Sequence, residues 1–306
     1  MSKLKKYLLF VFIITWILAY YGCYEHNHGG IAGRKTFHNL LALSMFVPTL
    51  GVLFAKADIK EMGWRLRLDK NWKYIAFAWL APTVFQIIGA VFYFMVFPED
   101  FTPDETLKRL MVAESYQEYQ KNGSNYWSVI AEEIFYSLTS FGKVTGTVLG
   151  LGEEIGWRGF MYPELKNKHG RTKGLLIGGV IHGAWHFPVM IGVGYEYGKE
   201  YIGAPVLGLV VFCLFTVSMG IVADFLYVKS GSIWLPAIFH ATINGAPSPG
   251  ILLSDSHPER SIFGPFDIGL ISMIPMAVCA VFLLWYQYNR EQMELDELFD
   301  DNSFSL

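Results

Sequence analysis

The chain of 306 residues is rich in apolar side chains and poor in charge, which excludes an ordinary soluble protein. Apolar residues make up 53% of the sequence and charged residues 17%, against about 25% charged residues in an average chain. The formal net charge of −3 leaves no basic field of the kind that binds nucleic acid. The composition therefore indicates a polytopic membrane protein whose partners include the lipid bilayer and exclude nucleic acid.

The N-terminus and the cysteines fit this class. Lys3, Lys5 and Lys6 precede the first apolar run, so a cleaved signal peptide is an alternative reading. The residues before Cys23 lack the small side chains of a cleavage site, and we expect the first helix to be retained. The three cysteines have neither metal-ligand nor disulfide spacing, and we interpret them as small apolar residues.

Spanning a bilayer as a helix takes about 20 predominantly apolar residues. We therefore predict an all-α fold, a polytopic bundle of about eight transmembrane helices, at residues 7–22, 38–55, 73–97, 127–151, 174–195, 204–228, 231–253 and 265–287. We divide the chain into an N-terminal region with three helices and a polar loop, a candidate catalytic core, and a last helix with an acidic cytoplasmic tail: residues 1–126, 127–253 and 254–306.

Lysine and arginine are distributed unequally between alternate loops, and such a bias sets orientation in the membrane. One set of loops holds 16 of these residues and the other set holds 7. We expect a multi-pass protein of the cell membrane with both termini in the cytoplasm. This orientation puts Glu153 and Glu154 at the cytoplasmic end of the fourth span, beside a pocket that faces the cytoplasm.

Glu153 and Glu154 follow an apolar run, where a carboxylate is costly unless it has a partner or a function. On a helix, Glu154 and Arg158 share one face and can form an ion pair. Glu153 then points about 100° away and is free to act as a general base. The alternative is a solvated helix end with a surface salt bridge.

The fifth predicted span contains His182 and His186, which are four residues apart and share a helical face. This spacing suits two ligands of one metal ion, although the glutamate of the zinc-protease helix motif is missing. A hydrogen bond to a neighbouring helix is the simpler alternative.

His240 and Asn244 share a face of the seventh predicted span in the same way. An imidazole and a carboxamide that point toward one place can stabilise an oxyanion. The alternative is a pair of polar contacts between helices.

Taken in order, these motifs resemble the CPBP family of intramembrane endopeptidases. This family includes the CAAX prenyl proteases and bacterial homologues linked to bacteriocin immunity. The resemblance covers residues 145–248 and extends to the sequences that flank Arg158, His186 and His240. In the family, the position of His182 usually carries an aromatic residue.

The resemblance implies an endopeptidase that cleaves a membrane-associated or lipidated peptide or protein with a glutamate-activated water. Glu153 would activate the water, and His186 would hold it. Glu154 would pair with Arg158, while His240 and Asn244 would stabilise the oxyanion. No cofactor is expected, although zinc on His182, His186 and His240 stays open. A non-catalytic immunity or scaffold protein, a zinc-dependent membrane hydrolase and a transporter are the alternatives.

Overall fold

A computed structural model of the chain describes residues 1–110, 116–117, 121–122, 125–139, 142–245 and 257–303. These residues contain no β-strand, and the prediction of an all-α fold is confirmed. The α-helices, numbered in chain order, are α1 Lys3–His28, α2 Gly30–Ser44, α3 Val47–Phe54, α4 Leu68–Val96, α5 Pro103–Leu110, α6 Tyr126–Thr139, α7 Gly142–Gly156, α8 Tyr162–His169, α9 Arg171–Trp185, α10 Phe187–Val193, α11 Val206–Ser230, α12 Trp234–Asn244 and α13 Ile274–Ser303.

The helices identify a multi-pass membrane protein. By length and composition, four of the described helical segments can cross a membrane: α1, α4, α9 with α10, and α11. The bent pair of α2 and α3 brings this number to five, and α13 begins with a shorter apolar stretch. The predicted span 127–151 is divided between α6 and α7, and α12 has 11 residues, a length of about 16 Å. The count of eight spans stays a prediction.

The helical path continues beyond the two adjacent glutamates. The predicted fourth span ends near residue 151, which puts Glu153 and Glu154 at its end. In the structure, a π-helical segment at Trp157–Met161 joins α7 to α8, and the path ends only at His169. The side chains that follow the glutamates are buried. The helical path therefore continues through the bundle, and the glutamates lie well inside it.

Close packing of two helix pairs brings the motif-bearing segments together. Helix α7 packs against α12, and α9 packs against α11. Gly179 allows α9 to lie directly on α11, since a Cβ atom there would overlap the backbone of Val217. Small residues that permit such approaches are typical of helix interfaces in membranes.

Hydrogen bonds between loops define two opposite faces of the bundle. The first is the cationic face, named for the basic residues of the segment 56–67. There the backbone of Ile233 donates to the carbonyl of Gly63 (3.0 Å) and the indole of Trp234 donates to the carbonyl of Trp64 (2.9 Å). On the second, the opposite face, Tyr197 donates to the carbonyl of Ile268 (2.7 Å). Helices α4 and α11 connect the two faces, so a group on one face is separated from the other by the full length of a span.

We predict that Gly179→Ala lowers the melting temperature of the detergent-purified protein, because a backbone lies where the new methyl group would be. Gly146→Ala is the matched control. Its Cβ would lie 3.5 Å from the Cβ of Ala241, an ordinary contact, and alanine favours a helix by about 1 kcal/mol over glycine. Equal melting temperatures for the two variants would contradict the assigned packing of α9 on α11.

Candidate active site

Glu153 and Glu154 are both buried, and they face different neighbours. Their side chains are 3% and 0% exposed. Adjacent residues on a helix point about 100° apart, so Glu154 faces Arg158 and α12 while Glu153 faces α9. Because buried carboxylates need compensating charge or hydrogen bonds, the partners of each one decide what it can do.

Glu154 is held by two cationic or donor groups. Arg158 Nη1 donates to its Oε1 atom at 2.9 Å, and His240 Nδ1 lies 2.8 Å from the same oxygen. The Arg158 guanidinium also lies over the ring of Tyr162, 4.7 Å from its centroid. Glu154 is therefore neutralised, and as a carboxylate it fixes the tautomer of His240 that carries a proton on Nδ1.

Glu153 has contacts of a different kind. Its Oε2 atom accepts a hydrogen bond from Trp157 Nε1 at 3.0 Å and lies 3.3 Å from His182 Nε2. Its Oε1 atom lies 3.9 Å from His240 Nε2. This last distance is too long for a hydrogen bond and suits one small molecule bonded to both groups. Glu153 thus presents an oxygen toward the interior of the bundle.

His182, in the last turn of α9, and His186, directly after that helix, differ in position. His182 is buried and contacts Glu153, whereas His186 is half-buried and its Nδ1 lies 3.1 Å from the carbonyl oxygen of His182. The ring centroids of His182 and His240 are 6.1 Å apart. His182, the residue at which the chain departs from the CPBP pattern, is therefore the imidazole of α9 in direct contact with Glu153.

Asn244 lies at the C-terminal end of α12, one turn beyond His240. Its side chain is exposed and lines the same cavity as the site histidines. The predicted site residues are thus divided between a buried cluster and the cavity wall: Glu154 and Arg158 are fully buried, and Glu153, His186, His240 and Asn244 border the cavity.

A cavity of about 680 Å³ leads from Glu153 to the loops of the opposite face. Tyr195, Glu196 and Asp267 line its outer part. No loop of the cationic face contributes to the described wall. A cytoplasmic location of the cationic loops is therefore incompatible with a cytoplasm-facing pocket, and only one of the two expectations can hold.

The described residues do not fit a metal site. No group of three His, Cys, Asp or Glu side chains among them is arranged to hold a metal ion. His240 directs Nδ1 to Glu154, and His186 directs Nδ1 to the backbone carbonyl of His182 in α9.

Several residues of the site and of the cavity were not predicted from the sequence. Trp157, which contacts Glu153, could have been found, since it lies four residues after Glu153 and one turn along the same face. Gln86, Glu196 and Asp267 line the cavity. The two acids lie in loops, where no helical period indicates their direction.

The fold and the site together define a class: a multi-pass membrane protein with a buried carboxylate and imidazole cluster at the inner end of a large cavity. The sequence model of the Rce1-like type II CAAX prenyl endopeptidases matches residues 135–246. A CAAX prenyl protease 2 from Methanococcus maripaludis is 25% identical over 244 residues, which cover 78% of this chain and 82% of that relative.

This chain is thus similar, through residues 135–246, to the Rce1-like family of type II CAAX prenyl endopeptidases. It is therefore a membrane endopeptidase of the CAAX type, a hydrolase of peptide bonds. The match includes all the predicted site residues, from Glu153 to Asn244.

We predict that Arg158→Met destabilises the protein by about 3–5 kcal/mol, because it leaves Glu154 as a buried charge without its cation. The double variant Arg158→Met with Glu154→Gln removes both charges and should unfold at a higher temperature than Arg158→Met alone. Thermal unfolding in detergent measures both. A double variant less stable than the single one would show that the pair does not act as a unit.

Proposed function

We propose that the chain cleaves a peptide bond of a membrane-associated or lipidated peptide with a water molecule that Glu153 activates. The observation that carries the proposal is that two adjacent buried carboxylates have different partners. Arg158 neutralises Glu154. Among the described residues, Glu153 has hydrogen-bond contacts with the indole of Trp157 and the imidazole of His182, and it borders the cavity.

The reaction needs no covalent intermediate. Glu153 takes a proton from the water as the water oxygen bonds to the peptide carbonyl carbon. The carbonyl oxygen takes up the negative charge. When the carbon–nitrogen bond breaks, Glu153 returns the proton to the leaving amine, so the carboxylate is regenerated.

In this proposal, two groups of α12 stabilise the oxyanion. His240 presents Nε2 toward the cavity because its Nδ1 faces Glu154. It donates from Nε2 in its imidazolium form, whose charge would lie beside the carboxylates of Glu153 and Glu154. Asn244 supplies an amide donor one turn away. Each donor of this kind contributes about 3–4 kcal/mol in measured oxyanion holes.

The neighbours of Glu153 favour this role. Trp157 and His182 both contact Oε2, which leaves Oε1 on the side of His240. They act as positioning residues that fix the carboxylate plane. We propose that His186, on the cavity wall, holds the attacking water, as the resemblance to the CPBP family implies.

The cavity favours an apolar substrate. Its wall includes the side chains of Phe212, Phe215, Met219, Ile243 and Phe266. The relative is named a CAAX prenyl protease, and this wall would accept a lipid chain or a plain hydrophobic peptide.

We propose the orientation that the distribution of basic residues indicates, with both termini in the cytoplasm. The loops of the cationic face then lie in the cytoplasm. The cavity, which extends to the opposite face, opens away from the cytoplasm.

We predict that Glu153→Gln abolishes hydrolysis and leaves folding intact, because an amide cannot accept the proton of water. The measurement compares membrane peptides from cells that express the wild type or the variant, and cleavage of the accumulated peptides by purified protein. Glu132→Gln is the control, since Glu132 is an exposed member of another glutamate pair.

Cleavage by purified Glu153→Gln protein would contradict the proposal. Full complementation by this variant would favour the scaffold alternative instead. Loss of wild-type activity in a chelator, restored by zinc, would favour the zinc hydrolase.

We predict that a membrane-impermeant maleimide labels Lys199→Cys in intact cells, whereas it labels Lys60→Cys only after permeabilisation. Both lysines are exposed and lie on opposite faces. The background is a variant in which Cys23, Cys213 and Cys279 are replaced by serine or alanine. The reverse labelling would contradict the proposed orientation and would open the cavity to the cytoplasm.

A further inference from the structure

The outer end of the catalytic cavity carries two carboxylates that the reaction above does not use. Glu196 lies between α10 and α11, and Asp267 lies between α12 and α13. Both are partly buried, and both line the cavity that contains Glu153 at its inner end. Two separate loops thus direct acids into one opening.

These carboxylates have no cationic partner among the residues that the structure describes. Arg260, a basic residue of the same face, is held by Glu99 and Asp100 at 2.6 and 3.0 Å. Burial, together with the negative charge of Asp267, raises the pKa of Glu196 to about 8. Burial raises the pKa of Asp267 to about 6, although hydrogen bonds from Gln86 and the backbone oppose the increase.

Gln86 supplies an independent indication of a ligand. Its side chain is 7% exposed and lines the cavity, and its amide bonds to Asp267. Its Oε1 atom has no hydrogen-bond partner within the described part of the chain. A buried acceptor of this kind is costly unless a donor arrives.

The three side chains therefore line the same cavity, and each carries oxygen atoms that can accept a hydrogen bond. An ionised carboxylate can only accept hydrogen bonds, whereas guanidinium and ammonium groups can only donate them. A cation with several N–H groups can satisfy both acids and the free amide oxygen, with charge-assisted hydrogen bonds. A neutral or anionic group would leave the negative charge of the ionised acids without compensation.

We propose that Glu196, Asp267 and Gln86 form a subsite for an arginine or lysine side chain of the peptide substrate. The proposal rests on the proposed function, because the same cavity must hold the scissile bond beside Glu153. The substrate class is then an apolar or lipidated peptide with one basic residue at a fixed distance from the cleaved bond. On binding, the cation favours the ionised forms of both acids, so a proton is released to water.

The test uses full-length protein purified in detergent and a library of peptides from a proteome digested without trypsin, which would cut after arginine and lysine. Mass spectrometry identifies the peptides that the wild type cleaves and Glu153→Gln does not. We expect arginine or lysine to be enriched at one position relative to the cleaved bond. A cleaved arginine peptide is then compared with the same peptide carrying citrulline, which has the same shape and no charge.

For the wild type, we expect kcat/KM to be about 10- to 100-fold higher for the arginine peptide, the range that corresponds to hydrogen bonds with charged groups. In Glu196→Gln with Asp267→Asn, this ratio should fall toward one. Glu200→Gln is the matched control, because Glu200 is an exposed acid of the same loop, and it should keep the ratio. Replacing both subsite acids by lysine should favour peptides with aspartate or glutamate at that position.

The outcomes separate the two proposals. Cleavage by the wild type without a preferred basic position, or an unchanged ratio in the double variant, overturns the subsite and leaves the proposed function intact. If no cleavage depends on Glu153, both proposals fail. Thermal unfolding checks each variant, and the single variant Glu196→Gln replaces the double variant if the latter does not fold.

Discussion

The contact between Arg158, Glu154 and His240 is the interaction on which the rest of the site depends. It joins α7 to α12 across 86 residues of sequence. The positive charge of Arg158 also compensates the negative charge of Glu154, one of the two adjacent carboxylates. Without it, two ionised carboxylates would lie next to each other in a buried place, a state that proteins avoid by protonating one of them. With it, Glu154 serves as a structural ion, and Glu153 keeps the freedom to exchange a proton.

The surrounding fold is arranged so that this contact can form at depth. Helix α7 continues through a π-helical segment to α8, so Arg158 is inside the bundle and cannot leave Glu154 for water. The widened turn begins at Trp157, which donates to Glu153. Such segments occur often at functional sites, and here it directs the indole and the guanidinium to two different carboxylates.

The sequence predicted those parts of the site that depend on one helix. The spacing of four residues indicated that Glu154 would meet Arg158, and hydropathy indicated an all-α membrane bundle. It did not indicate that His182 contacts Glu153, because that contact depends on the rotation of α9 relative to α7. The acids of the loops were missed for a similar reason, since Glu196 and Asp267 follow no period. The number of spans could not be predicted with the same method, because average hydropathy does not show where a helix as short as α12 ends.

The cavity is large enough to hold water, and this water weakens the electrostatic interactions of the site until a substrate displaces it. A volume of about 680 Å³ would hold on the order of twenty waters at about 30 Å³ each, so Glu153 is buried among side chains but is not far from solvent. In a wet cavity, the charges of Glu153 and His240 are screened, and the oxyanion donors gain little. An apolar substrate that fills the space against Phe212 and Phe266 removes this water and strengthens each contact. Selectivity for apolar peptides and catalytic power then have the same origin, because the substrate supplies the low dielectric that the empty cavity lacks.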